Sequence, residues 1–283
     1  MLKCARAAVA MSGGVDSSVA AWLLKDAGVD LIGVTLKLFH NGDAGVNGES
    51  SCCSLDDAED ARAVARQLGF PHYVFNFSQQ FRRCVMDRFA AAYEAGATPN
   101  PCIDCNRYLK FDALLRRALA LGQEVVASGH YVRLDYDAGS GRYLLKKALH
   151  PEKDQSYVLY CLSQDQLAHT RFPLGDLSKD QVRAIAREQG LLVAHKSESQ
   201  DICFVPDGDY AAFIRRHTGH DYPPGPFLDE AGRCLGQHRG IIGYTVGQRR
   251  GLNVSSNHGR LYVKEVRPAD NAVVLSENSS LFS

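Results

Sequence analysis

One stretch decides the fold of this chain: Met11-Ser-Gly-Gly-Val-Asp-Ser-Ser-Val19. It follows an apolar run, Ala7 to Met11, and opens an apolar helical pattern that ends near Gly28. A strand, a Gly-rich turn and a helix N-terminus together form an anion site, because the helix dipole and the unpaired N–H groups of the first turn favour negative charge. Gly13 and Gly14 allow positive φ and let the backbone approach a phosphate closely.

The side chains of this stretch add polar groups to the predicted anion site. Ser12, Ser17 and Ser18 offer hydroxyl donors, and Asp16 could hold Mg²⁺ or cap the helix. The kinase-type P-loop ends in Gly-Lys-Ser/Thr, and this stretch has no such lysine. It resembles instead the signature of the ATP pyrophosphatases, or PP-loop enzymes, which implies ATP binding and adenylation of a substrate oxygen. The simpler alternative is an ordinary strand–helix turn rich in Gly and Ser.

Composition narrows the class of protein. The chain has 283 residues, 45% of them hydrophobic, which predicts one large and one small domain. Its apolar runs are shorter than the roughly 20 residues that a membrane span needs, and we expect no signal peptide. Nine cysteines in such a chain predict reduced thiols in the cytoplasm. Lys plus Arg and Asp plus Glu both number 32, so nucleic-acid binding would need local basic patches.

Strands and helices alternate through the first part of the chain. Their patterns predict strands at 31–39, 72–77 and 124–130, helices at 55–69, about 78–95 and 108–121, and loops at 42–51 and 96–101. Such alternation predicts an α/β fold with a doubly wound parallel sheet and ligands at the carboxyl ends of its strands. The PP-loop resemblance implies the adenine nucleotide alpha hydrolase-like type. The turns after Met11 and Ser128 then lie on the same edge.

The sequence changes character beyond Phe204. It becomes rich in Gly and Pro, as in Tyr222-Pro-Pro-Gly-Pro226, and short alternating runs follow at 261–266 and 272–275. This pattern predicts a smaller β-rich domain. We therefore expect a PP-loop domain at 1–205 and a β-rich domain at 206–283.

Two cysteine-bearing segments carry candidate chemistry. Asn100-Pro-Cys-Ile-Asp-Cys-Asn106 precedes a predicted helix, and Cys203 lies in Ser199-Gln-Asp-Ile-Cys-Phe204. A thiol near a helix N-terminus has a lowered pKa and is a better nucleophile. From spacing alone, the Cys-x-x-Cys pair could be a redox pair, half a metal site or two packed thiols. The adjacent Cys52-Cys53 is interpreted as a packed pair.

Several sequence blocks occur in the order found in bacterial tRNA-specific 2-thiouridylases, over nearly the whole chain. They are the PP-loop, TPNPCIDCNRYLKF at 98–111, SGHYVR at 128–133, KDQSY at 153–157, SQDICF at 199–204 and YTVGQRRGL at 244–252. The resemblance implies replacement of the C2 oxygen of the wobble uridine of tRNA by sulfur. ATP adenylates that oxygen, AMP leaves, and sulfur comes from a donor protein or from sulfide.

The family resemblance also implies roles for single residues. ATP would be bound by Met11, Ser12, Gly13, Gly14, Val15, Asp16, Ser17, Ser18, Leu36 and Gly129. The tRNA would be contacted by Asn100, Pro101, Cys102, His130, Lys153, Asp154 and Gln155. Cys105 is implied as the nucleophile and Cys203 as the persulfide carrier, with Cys102 and Asp16 also counted as candidate catalytic residues.

Two features depart from the family pattern. Many members have Asp at the position of Cys102, so three thiols (Cys102, Cys105 and Cys203) could hold a [4Fe-4S] cluster with one iron open to sulfide. A persulfide–disulfide route that needs only Cys105 and Cys203 is the alternative. The family usually continues with a further β-barrel domain, and we expect that C-terminal barrel to be absent here, since the sequence stops at Ser283.

Two other functions stay open at this point. Another PP-loop ligase or amidotransferase would share Ser12–Ser18 but would have no need for Cys105 and Cys203. A truncated remnant would bind tRNA without ATP turnover. Local basic groups that could contact tRNA are Arg116-Arg117, Lys146-Lys147, Arg215-Arg216-His217 and Arg249-Arg250, although such doublets are more often solvated surface.

Overall fold

A computed structural model of the protein describes residues 4–39, 55–197, 202–254 and 259–277. The predicted loop at 42–51, the Cys52-Cys53 pair, the start of the 199–204 block and the last residues, 278–283, lie outside the described residues. In the part that is described, no helix is long and apolar enough to cross a lipid bilayer.

Strands and helices are numbered here in chain order. The strands are β1 (Arg6–Ala10), β2 (Asp30–Lys37), β3 (His72–Asn76), β4 (Val125–Ser128), β5 (Val132–Asp137), β6 (Arg142–Lys147), β7 (Thr170–Arg171), β8 (Gly225–Leu228), β9 (Cys234–His238), β10 (Leu261–Arg267) and β11 (Ala272–Glu277). The helices are α1 (Val15–Asp26), α2 (Leu55–Leu68), α3 (Ser78–Phe81), α4 (Asp87–Glu94), α5 (Pro101–Asp104), α6 (Leu114–Ala120), α7 (Gln164–Ala168), α8 (Lys179–Glu188) and α9 (Tyr210–Thr218). Two π-helical segments, Arg82–Met86 and Cys105–Ala113, continue α3 into α4 and α5 into α6.

The main sheet is parallel, with strand order β3-β2-β1-β4-β7. The predicted doubly wound α/β fold is thus confirmed. The chain leaves β1 toward β2 on one side, and β4 joins on the other, so the strand order reverses between β1 and β4. Such a switch point opens a crevice at the carboxyl ends of the two strands. Ala10 and Ser128 are partners in the register, so the turns that follow them are neighbours.

The core explains why β1 is a continuous apolar run. Ala7, Ala8 and Val9 are fully buried because helices cover both faces of a parallel sheet. On one face, α1, α2 and α8 contribute buried residues to a single core cluster, among them Val19, Ala61, Val64, Val182 and Ala186. The apolar positions of α2 have the spacing expected of an amphipathic helix.

One helix begins earlier than the sequence pattern predicts. We expected a non-helical loop through Pro101 and a helix from Tyr108, but the helix starts at Pro101 and runs into the π-helical segment. Pro is well suited to the first helical position, since its missing N–H would have no acceptor there and its φ is already helical. Because the helix begins at Pro101, Cys105 lies inside a helix rather than just before one.

The chain divides into two compact units, Met1–Cys84 with Cys102–Pro206, and Val85–Pro101 with Asp207–Ser283. The second unit contains a four-stranded sheet of order β10-β11-β8-β9, which confirms a smaller β-rich domain. It also contains α9, which the sequence pattern did not predict. Asp209 caps α9 by accepting a hydrogen bond from the N–H of Ala212 at 2.9 Å.

Acidic side chains of α4 hold histidines of the second unit. Asp87 pairs with His217 at 2.7 Å, and Glu94 pairs with His220 at 2.7 Å. Glu94 also accepts a hydrogen bond from the Tyr222 hydroxyl at 2.5 Å. These contacts fasten α4 to the segment that contains α9, so residues 85–101 are integral to this unit.

Candidate active site

The glycine-rich loop is built around one residue that has no room for a side chain. Gly13 has φ +72°, and a Cβ there would lie 2.3 Å from the carbonyl oxygen of Asp57 in α2. Gly14 caps α1 with φ −96°, so of the two glycines it is Gly13 that uses the positive φ that glycine permits. The loop brings backbone to the N-terminus of α1, where the N–H groups of 15–17 have no acceptor within the helix. This arrangement is a cradle for an anion.

The serine hydroxyls of the loop have different roles: those of Ser17 and Ser18 stabilise the loop by hydrogen bonds, and that of Ser12 is exposed. Ser17 Oγ and Ser18 Oγ donate to the carbonyl of Gly14 at 3.1 and 2.9 Å. Ser17 Oγ also accepts a hydrogen bond from the N–H of Ser12 at 3.2 Å. Ser18 is fully buried, whereas Ser12 is exposed. Backbone amides and the Ser12 hydroxyl are therefore the donors that an incoming phosphate can reach.

Asp16 is held by two residues from distant parts of the sequence. Its Oδ1 accepts a hydrogen bond from the Tyr131 hydroxyl at 2.8 Å. The Lys179 ammonium group contacts Asp16 Oδ1 and Oδ2 at 2.7 and 2.8 Å. Asp16 is not the helix cap, since Gly14 takes that position. The Asp16 carboxylate is thus fixed at the loop as the partner of a buried lysine.

The turn after β4 meets the loop across the switch point. A Cβ on Gly129 would lie 2.8 Å from both the carbonyl carbon of Asp16 and the backbone nitrogen of Ser17. Only glycine allows the two backbones to approach this closely. The structure therefore brings Gly129 to the loop, as its place on the same sheet edge predicts.

His130 is kept neutral beside aromatic rings. Ser128 Oγ lies 2.7 Å from His130 Nδ1, and the rings of Phe111 and Phe172 lie 6.0 and 6.2 Å from the imidazole, centroid to centroid. Burial lowers the pKa of His130 well below its usual value, and the positive charge of Lys110 lowers it further. His130 is therefore a hydrogen-bonding group rather than a cation at neutral pH.

Leu36 lies near the end of β2. It is 8% exposed and pairs in register with Phe75 of β3. An apolar side chain at a strand end can pack against a nucleotide base, in keeping with its predicted position near the adenine.

Cys105 is a buried thiol, against our expectation of an activated one. It lies at the start of the π-helical segment and is 9% exposed, whereas Cys102 on α5 is exposed. Burial raises the pKa of Cys105 to about 11, and the nearby Cys102 and Asp104 also raise it, while Lys110 lowers it. The expected lowering of the pKa by a helix N-terminus is thus wrong for this state, because Cys105 follows the first turn and is removed from water.

The three cysteines do not form a ready metal site. Cys102, Cys105 and Cys203 form no disulfide among the described residues. Among the residues that the structure describes, no three His, Cys, Asp or Glu side chains lie close enough together to hold a metal ion. The arrangement therefore does not fit a [4Fe-4S] cluster on these thiols. Cys203 is half-buried, and the adjacent Phe204 packs its ring against Phe81 at 5.6 Å.

Known proteins match the chain over nearly its whole length. A family profile described as "tRNA methyl transferase HUP domain" matches residues 5–207, and another described as "tRNA methyl transferase PRC-barrel domain" matches residues 211–277. The tRNA-specific 2-thiouridylase MnmA of Clostridioides difficile is 48% identical over 97% of this chain and 75% of its own length. The tRNA-specific 2-thiouridylase MnmA of Moorella thermoacetica is 52% identical over 96% of this chain and 76% of its own length. The chain belongs to the tRNA-specific 2-thiouridylase family.

One solved structure resembles this 2-thiouridylase family member more weakly than the named relatives do. A 4-thiouridine synthetase in complex with RNA and bound ATP superposes with a TM-score of 0.45 at 18% identity, over 71% of this chain and 45% of that chain. At this TM-score and sequence identity, the similarity does not indicate a function.

In this 2-thiouridylase family member, the predicted tRNA segment at 153–155 is tied to its own turn and to Tyr131. Asp154 accepts hydrogen bonds from the N–H of Ala148 at 2.8 Å and from the Ser156 hydroxyl at 2.7 Å. Gln155 Oε1 accepts from the N–H of Tyr131 at 3.0 Å. Lys153 is half-buried, and its neighbour Glu152 is exposed. The other predicted tRNA contacts differ in exposure, with Asn100 exposed and Pro101 buried.

Most of the basic doublets have local partners. Arg116 pairs with Asp112 at 2.6 Å, and Lys146 pairs with Asp135 at 2.7 Å. The Arg117 guanidinium lies 4.1 Å from the ring centroid of Phe75. In the second unit, Arg215 donates to the carbonyl of Arg239 at 3.0 Å. The doublet at 249–250 is exposed.

Sequence reasoning missed two residues at the loop. Tyr131 lies in the 128–133 block, whose resemblance implies no role for it, and Lys179 lies outside all the blocks. The available signal for Tyr131 was its place just after the switch-point turn. Lys179 begins α8 after Ser178, which caps the helix with Gln181 in a reciprocal pair. Nothing in the local sequence connects that helix start to Asp16, because the connection is tertiary.

Proposed function

We propose that the chain catalyses ATP-dependent 2-thiolation of the wobble uridine of tRNA. In the first step, the C2 oxygen of the uracil attacks the α-phosphorus of ATP. The bond from that phosphorus to the bridging oxygen breaks, and its electron pair leaves with pyrophosphate, while N3 gives up its proton to solvent. Adenylation converts a poor leaving group at C2 into AMP, a good one.

The observation that carries this proposal is the backbone cradle at Gly13, in a chain about 50% identical to named tRNA 2-thiouridylases. Gly13 and Gly129 admit no side chain, because the backbones of Asp57 and of Asp16 and Ser17 pack directly against them. This close packing fixes the loop beside the N–H groups of the first turn of α1, which can bind phosphate. Mg²⁺ would neutralise charge on the phosphates when bound, with Asp16 as the carboxylate of the loop.

The second step needs two thiols. A sulfur-donor protein transfers the outer sulfur of its own persulfide to the Cys203 thiolate and is left with a thiolate, and the resulting persulfide on Cys203 holds the sulfur in place. The terminal sulfur attacks C2 and expels AMP. The Cys105 thiolate then attacks the Cys203 sulfur, which forms a Cys105–Cys203 disulfide and leaves sulfur on the base. A cellular dithiol restores both cysteines by taking up the oxidising equivalents.

The buried state of Cys105 adds a condition to this route. With a pKa of about 11, Cys105 is a thiol at neutral pH. Cys105 must gain access to water or to a cation before it acts. Binding of tRNA near residues 100–105 is the event that would provide this access. The [4Fe-4S] alternative needs three thiols together, and the described residues do not gather them. We therefore prefer the persulfide route.

The two expected domains would have different roles. We propose that residues 1–205 carry ATP binding and sulfur transfer, and that residues 206–283 support tRNA binding. Asn100, Pro101, Cys102 and His130 would approach the target base, and Lys153, Asp154 and Gln155 would contact the tRNA. A cytoplasmic location follows from the substrate and from the free thiols.

The test is formation of 2-thiouridine in unmodified tRNA, measured by nucleoside mass spectrometry. The wild-type protein receives ATP, Mg²⁺ and a persulfide-loaded donor protein, and its iron content is determined in the same preparation. We expect product that depends on ATP and that requires no iron. Full activity only in iron-loaded protein would replace the persulfide route by the cluster.

Cysteine variants separate the other functions. Cys105→Ser and Cys203→Ser should abolish thiolation, whereas Cys84→Ser, a half-buried thiol elsewhere in the first unit, should leave it intact. Another PP-loop ligase would retain ATP turnover on its own substrate in both active-site variants. A tRNA-binding remnant would bind tRNA but would release no pyrophosphate.

A further inference from the structure

The loop lacks the lysine that phosphate-binding loops commonly carry, yet the structure supplies one from elsewhere. Lys179, the first residue of α8, reaches both carboxylate oxygens of Asp16 at 2.7 and 2.8 Å. Asp16 lies in the first turn of α1, next to the free N–H groups of the anion cradle. The lysine charge is therefore held at the phosphate site by tertiary packing, far from the loop in sequence.

The surroundings of Lys179 favour a functional rather than a surface lysine. Its side chain is only 13% exposed, which lengthens the reach of its charge because water screens it weakly. Its ammonium group lies 5.8 Å from the ring centroid of Tyr131. Tyr131 is itself buried and anchors Asp16 through its hydroxyl at 2.8 Å. Asp16 can thus keep its position when Lys179 turns toward another anion.

We propose that Lys179 is the residue that binds the β- and γ-phosphates of ATP. This inference rests on the proposed ATP-dependent function. In the free protein, Asp16 stores the ammonium group at the loop. With ATP bound, the three N–H donors of Lys179 are shared between Asp16 and the phosphates. The charge stabilises pyrophosphate as it takes up the electron pair of the broken bond, which is the role of the P-loop lysine in kinase-type loops.

A purely structural role for Lys179 makes a different prediction. If the lysine only positions Asp16 and α1, its loss should disturb every ligand of the loop alike. If it contacts the outer phosphates, its loss should weaken ATP and spare AMP, which has no β- or γ-phosphate. The comparison of these two nucleotides therefore distinguishes binding from positioning.

The experiment measures ATP and AMP dissociation constants by calorimetry for the wild-type protein, Lys179→Met and Lys179→Arg. We expect Lys179→Met to weaken ATP roughly ten- to a hundredfold, the size of one charge-assisted hydrogen bond, and to change AMP affinity less than about twofold. Lys179→Arg should recover part of the ATP affinity. Lys264→Met is the matched control, since Lys264 is an ion-paired lysine of the second unit, 2.6 Å from Glu230.

Each outcome decides the matter. Equal weakening of ATP and AMP, or no weakening of either, overturns the role of Lys179. If the wild-type protein does not bind ATP, the proposed function itself fails. Should Lys179→Met not fold because it leaves Asp16 without a partner, Lys179→Gln keeps a hydrogen-bond donor beside Asp16 and leaves the carboxylate unchanged. Lys179→Gln must show the same selective loss of ATP, and parallel losses of both nucleotides there also overturn the proposal.

Discussion

Tyr131 and Gln155 hold each other by reciprocal hydrogen bonds. The N–H of Tyr131 donates to Gln155 Oε1 at 3.0 Å, and the N–H of Gln155 donates to the carbonyl of Tyr131 at 3.0 Å. The hydroxyl of the same tyrosine donates to Asp16 at 2.8 Å. One buried residue thus connects the predicted tRNA segment to the glycine-rich loop. A displacement of Gln155 moves the group on which Asp16 depends.

Replacement of Tyr131 by phenylalanine tests this connection. The change removes the hydrogen bond to a carboxylate while keeping the ring, so we expect the free energy of unfolding to fall by about 1–3 kcal/mol. ATP binding should weaken as Asp16 loses an anchor. Denaturant unfolding and calorimetry measure both effects. Tyr136→Phe is the control, because Tyr136 is 49% exposed and should tolerate the change. If the two variants have the same stability and the same ATP affinity, Tyr131 does not anchor Asp16.

The two loop glycines should differ sharply when each is replaced by alanine. At Gly13 the new Cβ would meet the Asp57 carbonyl oxygen at 2.3 Å with φ at +72°, so we expect a loss of about 2–5 kcal/mol in unfolding free energy. At Gly14 the nearest atom, Ser12 Oγ, is 3.6 Å away and φ is −96°, so we expect a loss of no more than about 1 kcal/mol. Urea denaturation of both variants is the measurement. A Gly13→Ala protein as stable as Gly14→Ala would contradict the close packing of the loop on α2.

Cys105 should react slowly with alkylating agents in the free protein. Because its pKa is about 11, the rate should rise about tenfold for each unit of pH from 7 to 10. Exposed Cys102, and exposed Cys234 in the second unit, should be modified first. Peptide mass spectrometry after timed iodoacetamide treatment follows each site. Rapid labelling of Cys105 at pH 7 would show that the thiol is open and activated without tRNA.

The raised pKa of Cys105 also contributes to stability. The folded protein keeps the thiol proton more strongly than the unfolded chain, whose value is 9.0. This contribution, about 3 kcal/mol for a shift of this size, is complete below pH 9 and is lost as pH rises through about 11. Cys105→Ala, which has nothing to titrate, should lose less unfolding free energy over that interval than the wild-type protein does.

His72 should make the protein sensitive to acid. Thr35 Oγ1 uses its hydrogen on the carbonyl of Met11 at 2.8 Å, so it accepts from His72 Nε2, 2.9 Å away. His72 Nδ1 is then unprotonated, and within the described residues this buried atom has no hydrogen-bond partner. Burial, together with the charge of Arg62, lowers the pKa of His72 from 6.5 to about 4. Protonation would place an uncompensated charge beneath α2.

The sign of the effect follows from this lowered pKa. The contribution of neutral His72 is present above pH 6.5 and is lost as pH falls through about 4. Between pH 7 and pH 4, His72→Gln should therefore lose less unfolding free energy than the wild-type protein. His150→Gln, at a half-exposed histidine, should behave like the wild-type protein. Parallel acid curves for wild type and His72→Gln would show that His72 does not set the acid limit.

Local sequence determined the main sheet and the anion cradle of this protein. The apolar run through Val9, the glycines that follow it and the amphipathic spacing of α2 are patterns within one element, and each dictates its structure through burial or backbone freedom. The α/β class and the smaller β-rich domain followed from them. Boundaries were less well predicted where two signals compete, as at Pro101, which ends one pattern and also begins a helix.

Only the tertiary structure decided how the site is charged. Asp16 receives Lys179 and Tyr131 from positions 163 and 115 residues away, and no local pattern encodes such a pairing. Burial likewise decided the state of Cys105, since the sequence shows a cysteine near a helix start but not the packing that removes water from it. The sequence thus specified which groups are present and how the backbone receives a phosphate. Packing specified their protonation and their partners, because desolvation and long-range contacts exist only once the chain has folded.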